Sequence, residues 1–243
     1  MNRKLVLGVA VGLFAAQLWA QEKAPKKIEL KTDVDKAIYA MGVSAARTMR
    51  SQFEAQEVPV DAETLLRGFR DGLGDGKLAL SDEEMNGAIQ AVELQVAKRN
   101  ADAGEAFLAA NKKKKDVVTL PSGLQYKIIK KGMGKAPTPR DVVTVHFRGR
   151  MLNGKEFDNT YPGKVPLTMP LSETIAGWKE ALPLMPVGSK WELYIPSALA
   201  FGPDGNARIP ANATLVFEVE LLDVNKPEAT PPRTRPQNLE DIK

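Results

Sequence analysis

The hydrophobic period of this chain changes once. Up to about Asn111, apolar residues recur every three or four positions. After Thr119 they recur every second position. The first spacing puts one stripe on a helix, and the second puts one face on a strand. A helical segment is therefore expected to precede a β-rich one, with the boundary at the Lys112–Lys115 run and the following "LPSG".

In the helical part, Val34, Ile38, Met41, Ala45, Met49 and Phe53 form one stripe, which Pro59 ends. Asp61 is placed to cap a second helix carrying Leu65, Leu66, Phe69 and Leu73, stopped by "GLGDG". Ser81 with Glu84 reads as a capping box for a third helix, whose stripe is Met85, Ile89, Val92, Val96, Ala103 and Phe107. Helical to Asn111, it would be about 45 Å long, too long to pack on two short helices in one small core. In the β part, "QYKIIKK", "VVTVHFRGRM", "SKWELYIP" and "TLVFEVELLDV" read as strands between Gly/Pro punctuation. In the last, Phe217, Val219 and Leu221 face one way and Glu218 and Glu220 the other, as in an antiparallel sheet covered on one face. The only good helix here is the short one around Trp178. The fold class is α+β: an antiparallel sheet wrapped on one short helix, preceded by an all-α segment with a long connecting helix.

The ends of the chain read differently. "MNRK" followed by "LVLGVAVGLFAAQLWA" has the basic and apolar regions of a signal peptide, with cleavage placed after Ala20. An uncleaved anchor is the alternative. Residues 21–32 form a polar leader, and residues 225–243 a Pro-rich tail expected to be disordered. Export is thus expected, to the periplasm or cell envelope. The chain has no Cys, which excludes thiol catalysis and thiolate metal sites, and its single His makes no metal site. Neither metal nor cofactor is expected. The formal net charge of +4 falls to +2 without Arg3 and Lys4, too little to argue for nucleic acid. Residues 33–110 carry 8 positive and 14 negative side chains, and residues 112–243 carry 20 and 14. The Lys run is read as the solvated end of the third helix, where cations suit the helix dipole; a nucleic-acid or membrane patch is the rival.

The ordered pieces "LPSGLQYKII", "VTVHFRG", "GKEFDNT", "IAGWKEAL", "MPVGSKWELYIP", "LAFG" and "IPANATLVFEVELL" resemble the FKBP-type peptidyl-prolyl isomerases. The three helices resemble the exported Mip/FkpA branch, in which such a segment makes an intertwined dimer. The resemblance spans residues 33–224. It implies a helical dimerisation domain at 33–80, a connecting helix at 81–115 and an isomerase domain at 116–224. It also implies a reaction that needs no nucleophile, because rotating an X–Pro bond breaks no covalent bond.

The site residues follow from the resemblance. Trp178 is the floor under the proline ring, and the glycine before it allows close approach. Phe157 and Asp158 are ring wall and carboxylate lip. Phe147 and Phe201 stand where the family usually has tyrosines, so two hydroxyls are missing. Met169 is a wall residue, Thr174 and Ile175 bind substrate, Ile209 lies in a flap loop and Phe217 at the pocket base. The backbone N–H of Ile175 holds the substrate carbonyl. Read singly, Phe157, Met169, Ile175 and Phe217 are ordinary core residues, Trp178 a core indole, Asp158 a turn residue and His146 a surface residue. The implied partners are proline-containing unfolded proteins, a second copy of the chain, and macrolides of the FK506 and rapamycin class. The competing expectation is a mainly non-catalytic holdase, favoured by the two missing hydroxyls.

Overall fold

A computed structural model describes residues 28–74 and 76–226. The signal-peptide reading, most of the polar leader and all but the first two residues of the Pro-rich tail lie outside these. The chain divides into two compact units, to Thr48 and from Met49.

Helix α1 spans Asp33–Gln56. Helix α2, Ala62–Gly72, starts where Asp61 Oδ1 accepts the Thr64 N–H at 2.7 Å. Helix α3, Asp82–Asn111, opens on the expected capping box: Ser81 Oγ accepts the Glu84 N–H and Glu84 accepts the Ser81 N–H. The N-terminal unit is built from α1, whose Val34, Ile38 and Met41 are exposed there.

The strands are β1 (Val117–Thr119), β2 (Gln125–Lys130), β3 (Val142–Met151), β4 (Glu156–Asn159), β5 (Leu167–Pro170), β6 (Lys190–Ile195) and β7 (Leu215–Asn225). All pairs are antiparallel, in the order β1-β2-β6-β7-β3-β4, with β5 also on β3. The period of two is exact along β3, where Val143, Val145, Phe147, Gly149 and Met151 are buried and the residues between them half-buried. The register Trp191↔Val219, Leu193↔Phe217 and Ile195↔Leu215 carries the same face across β6 and β7. The single helix of this part, α4 (Ala176–Ala181), lays Trp178 and Ala181 on that face, and Pro183 ends it in a 3-10 turn. Strands β1, β4 and β5 have three or four residues each, too few for a period to show.

Two findings differ from the sequence reading. The outer face of the sheet is not bare. Tyr194 and Val216, paired across β6 and β7, point outward yet are buried, and Phe107 of α3 packs on Tyr194 with ring centroids 5.8 Å apart. Asn111 Nδ2 donates to Gln125 Oε1 at 2.9 Å, and Gln125 Nε2 donates to the Leu108 carbonyl at 2.9 Å. The end of α3 thus lies on the sheet through Phe107 and Asn111; Val96 and Gly104 are also buried, while Ala103 is exposed. Burial pushes the Tyr194 phenol up, and its hydrogen bond to Glu192 adds to this. The second difference is His146. It does lie opposite Phe147, but it is half-buried: Nδ1 is 3.0 Å from Thr160 Oγ1, and the ring stacks on Tyr161 at 5.1 Å.

Candidate active site

Four rings from four elements meet on the inner face. Trp178 of α4 meets Phe147 of β3 edge-on at 5.3 Å and Phe217 of β7 at 5.4 Å. Phe217 meets Phe157 of β4 at 5.5 Å, also edge-on. These are the T-shaped arrangements that aromatic quadrupoles favour. Trp178 is 4 % exposed, and its indole N–H has no partner among the described residues.

The backbone makes room for this cluster at one point. A Cβ on Gly149 would stand 2.5 Å from the Phe157 ring and 2.9 Å from that of Phe217. Any side chain there would displace both rings. Gly149 pairs with Asp158, and the register slips between Gly149 and Arg150, which leaves Phe157 as the extra residue of a β-bulge. The bulge explains how consecutive residues serve one face: Phe157 packs on Gly149, while Asp158 sits opposite it. Asp158 is exposed, and its carboxylate's only hydrogen bond among the described residues comes from the Asn159 N–H, at 2.9 Å.

At the start of α4, Ile175 is the N-cap, with φ −65° and ψ 155°. Its carbonyl accepts the Trp178 and Lys179 N–H groups, at 3.0 and 3.1 Å. Its own N–H makes no hydrogen bond among the described residues. It is a donor with positive helix-end potential behind it. Thr174 is buried and its hydroxyl is engaged, donating to the Leu171 carbonyl at 2.8 Å, so it shapes the turn that presents Ile175. The close approach at Gly177 is to Ile195: a Cβ would lie 2.6 Å from Ile195 Cγ2. That contact seats α4 on the sheet.

The remaining residues lie further out. Met169 on β5 pairs with Val143 and shares its face. Phe201 is half-buried against the core. Ile209 is buried, and its loop is held by a residue that the sequence reading passed over. Asn206 accepts the Arg208 and Ile209 N–H groups on Oδ1, at 2.8 and 2.9 Å, and donates its own N–H to the Ile209 carbonyl at 2.7 Å. The Gly205-Asn206 dipeptide, of which it is the second residue, is a turn signal that could have marked it. Among the described residues no cluster of His, Asp and Glu could hold a metal.

Residues 134–222 match the family described as FKBP-type peptidyl-prolyl cis-trans isomerase, and residues 34–128 match the domain amino terminal to it. The FkpA isomerase of Aeromonas hydrophila is 41% identical over 221 residues, covering 85% of this chain and 82% of that protein. The outer membrane protein MIP of Legionella longbeachae is 37% identical over 238 residues, 93% of this chain and 99% of the relative. The crystal structure of FkpA from Escherichia coli is similar with a TM-score of 0.52 at 38% identity, over 82% of this chain and 99% of that one. Relatives named as isomerases span this chain from helices to sheet, which does not favour a mainly non-catalytic holdase. From its helices through its ring-lined sheet, this chain belongs to the FKBP-type peptidyl-prolyl cis-trans isomerases and is an enzyme of that kind.

Proposed function

We propose that the four-ring cluster and the unpaired N–H of Ile175 form the working site for X–Pro rotation. Trp178 is the floor for the proline ring; Phe147, Phe157, Phe217 and Met169 are walls. Ile209 and Phe201 close the site from the loop side, and Asp158 stands at the lip. The Ile175 N–H receives the substrate carbonyl, with Thr174 fixing its turn. The barrier to be lowered is about 18–20 kcal/mol. A twisted amide has lost resonance and is less polar than a planar one, so an apolar site favours it over the ground state. The observation that carries this reading is the convergence of four rings beside one free donor.

The substrates are proline-containing, unfolded or partly folded proteins, and macrolides of the FK506 and rapamycin class compete for the site. The working unit is a homodimer through residues 33–80, with 81–115 as the connecting helix and 116–224 as the isomerase domain. Its support is apolar surface left open in one chain: Val34, Ile38 and Met41 on α1, and Leu66 and Phe69 on α2, a helix with no buried residue. Residues 1–20 direct export to the periplasm or cell envelope. Among the described residues no helix is long and apolar enough to cross a membrane.

Ile175→Pro tests the donor. The φ of −65° already suits proline, no native hydrogen bond is lost, and Thr174 before it is extended (φ −81°, ψ 172°), as a residue preceding proline must be. Ile175→Ala controls for the lost side chain. Against that control, Ile175→Pro is expected to lower kcat/KM on an X–Pro peptide by about two- to tenfold, the worth of one hydrogen bond. Equal rates in the two variants would remove Ile175 from the site.

A further inference from the structure

We infer that helix α3 is a positioning element of the isomerase site, fastening the loop that carries Ile209 through Asn100 and Asn212. Residues 97, 100 and 104 lie on one face of α3. Opposite them runs the returning limb of the loop, residues 211–214, just before β7. Asn100 Nδ2 donates to the Ala211 carbonyl at 2.9 Å, and in the reverse direction Asn212 Nδ2 donates to the Ala97 carbonyl at 3.4 Å. A turn further along, α3 and the limb touch with no space to spare: a Cβ on Gly104 would stand 2.3 Å from Thr214 Oγ1.

Asn212 does two jobs. Its φ is +56°, a left-handed conformation that Asn accepts better than most residues. Its N–H donates to the Gly202 carbonyl at 2.9 Å and closes the loop, while its side chain reaches the helix. Inside the loop, Asn206 locks Ile209. Among the described residues, no other side-chain hydrogen bond joins this loop to an element distant in sequence. The loop is thus tight within itself and tied outward to α3, so the position of the helix sets the position of Ile209. A hydrophobic stripe does not reveal this, because the contact face of α3 here is Ala97, Asn100 and Gly104.

The inference rests on the site reading above, and full-chain variants separate the two. Asn100→Ala removes one donor. Asn212→Gly removes the other while keeping a residue at ease at positive φ. Each is expected to raise KM for an X–Pro peptide by about two- to tenfold with kcat little changed, because a displaced wall weakens ground and transition states alike. Exchange of the Ile209 amide hydrogen is expected to quicken. Asn100→Gln, which keeps an amide donor, is expected to recover part of the loss. A merely structural role would lower the melting temperature and the amount of active enzyme, and so the apparent kcat, while KM stayed fixed. That pattern, or an unchanged KM in both variants, overturns the inference. If one variant fails to fold, the other decides. Should Ile175→Pro lower the rate while these variants keep the wild-type KM, only the coupling fails. Should Ile175→Pro also have no effect, the site reading fails with it.

Discussion

Phe201 lacks the hydroxyl that its resemblance to the family would place there, and its half-buried ring packs on the core beside the proposed site. Phe201→Tyr would supply a donor for a substrate carbonyl. One such bond is worth about 0.5–1.5 kcal/mol net. Formed fully in the transition state, it would raise kcat/KM by roughly two- to tenfold. Formed equally in the ground state, it would lower KM and leave kcat unmoved. Asp158→Ala is the converse probe. Asp158 is exposed and carries no core packing, so its loss is expected to reduce activity without moving the melting temperature. The two variants are measured by the same peptide assay. If neither changes the rate, these positions do not line the working site. By contrast Trp178, Phe147 and Phe217 of the proposed site are also buried core residues. Truncating a buried aromatic costs about 3–5 kcal/mol, so loss of activity there would not separate chemistry from stability.

Among the elements, those with a clean period were legible in the sequence. β3 alternates over ten residues because one face meets the core and the other does not. The ends of α2 and α3 could be placed because Asp61 and Ser81 satisfy N–H groups that a helix start leaves unpaired. Other features left no such trace. The bulge that turns Phe157 and Asp158 to one side is a matter of register between strands. The docked half of α3 uses Asn100, Gly104 and Asn111, small or polar residues that a search for apolar stripes passes over. The candidate site residues were named by resemblance to a family, since singly each reads as core or turn; the meeting of the Trp178, Phe147, Phe157 and Phe217 rings is what the structure adds. Helices α1 and α2 present the opposite case, legible apolar stripes of which Val34, Ile38, Met41, Leu66 and Phe69 are exposed among the described residues. Met41 is 72% exposed. A charge placed there costs a lone chain little, but in a dimer interface an unpaired buried charge costs about 3–5 kcal/mol. Full-length protein is expected to sediment as a dimer and Met41→Glu as a monomer with unchanged activity on a short peptide. A Met41→Glu variant that remains dimeric would move the interface away from this stripe.

At the scale of the whole molecule, binding and catalysis are expected to share one floor. The chain holds no Cys, and rotation about a peptide bond asks for none. In the proposed reading it uses a fixed apolar seat with a donor at its edge; the sheet and its bulge bring four rings together from residues far apart in sequence, and the Ile175 N–H at the start of α4 is unpaired among the described residues. The direct test is a titration of the chain from residue 21 onward, which lacks Trp19, with an FK506-class macrolide, following tryptophan fluorescence and the X–Pro isomerisation rate in the same samples. Trp178 reports on the floor. Trp191, buried and stacked on Tyr126 at 4.4 Å, supplies a steady background. Fluorescence quenching and loss of rate are expected to follow one saturable curve. A rate that falls while Trp178 emission stays constant, or no saturable binding at micromolar macrolide, would contradict the claim that these rings form the isomerase site.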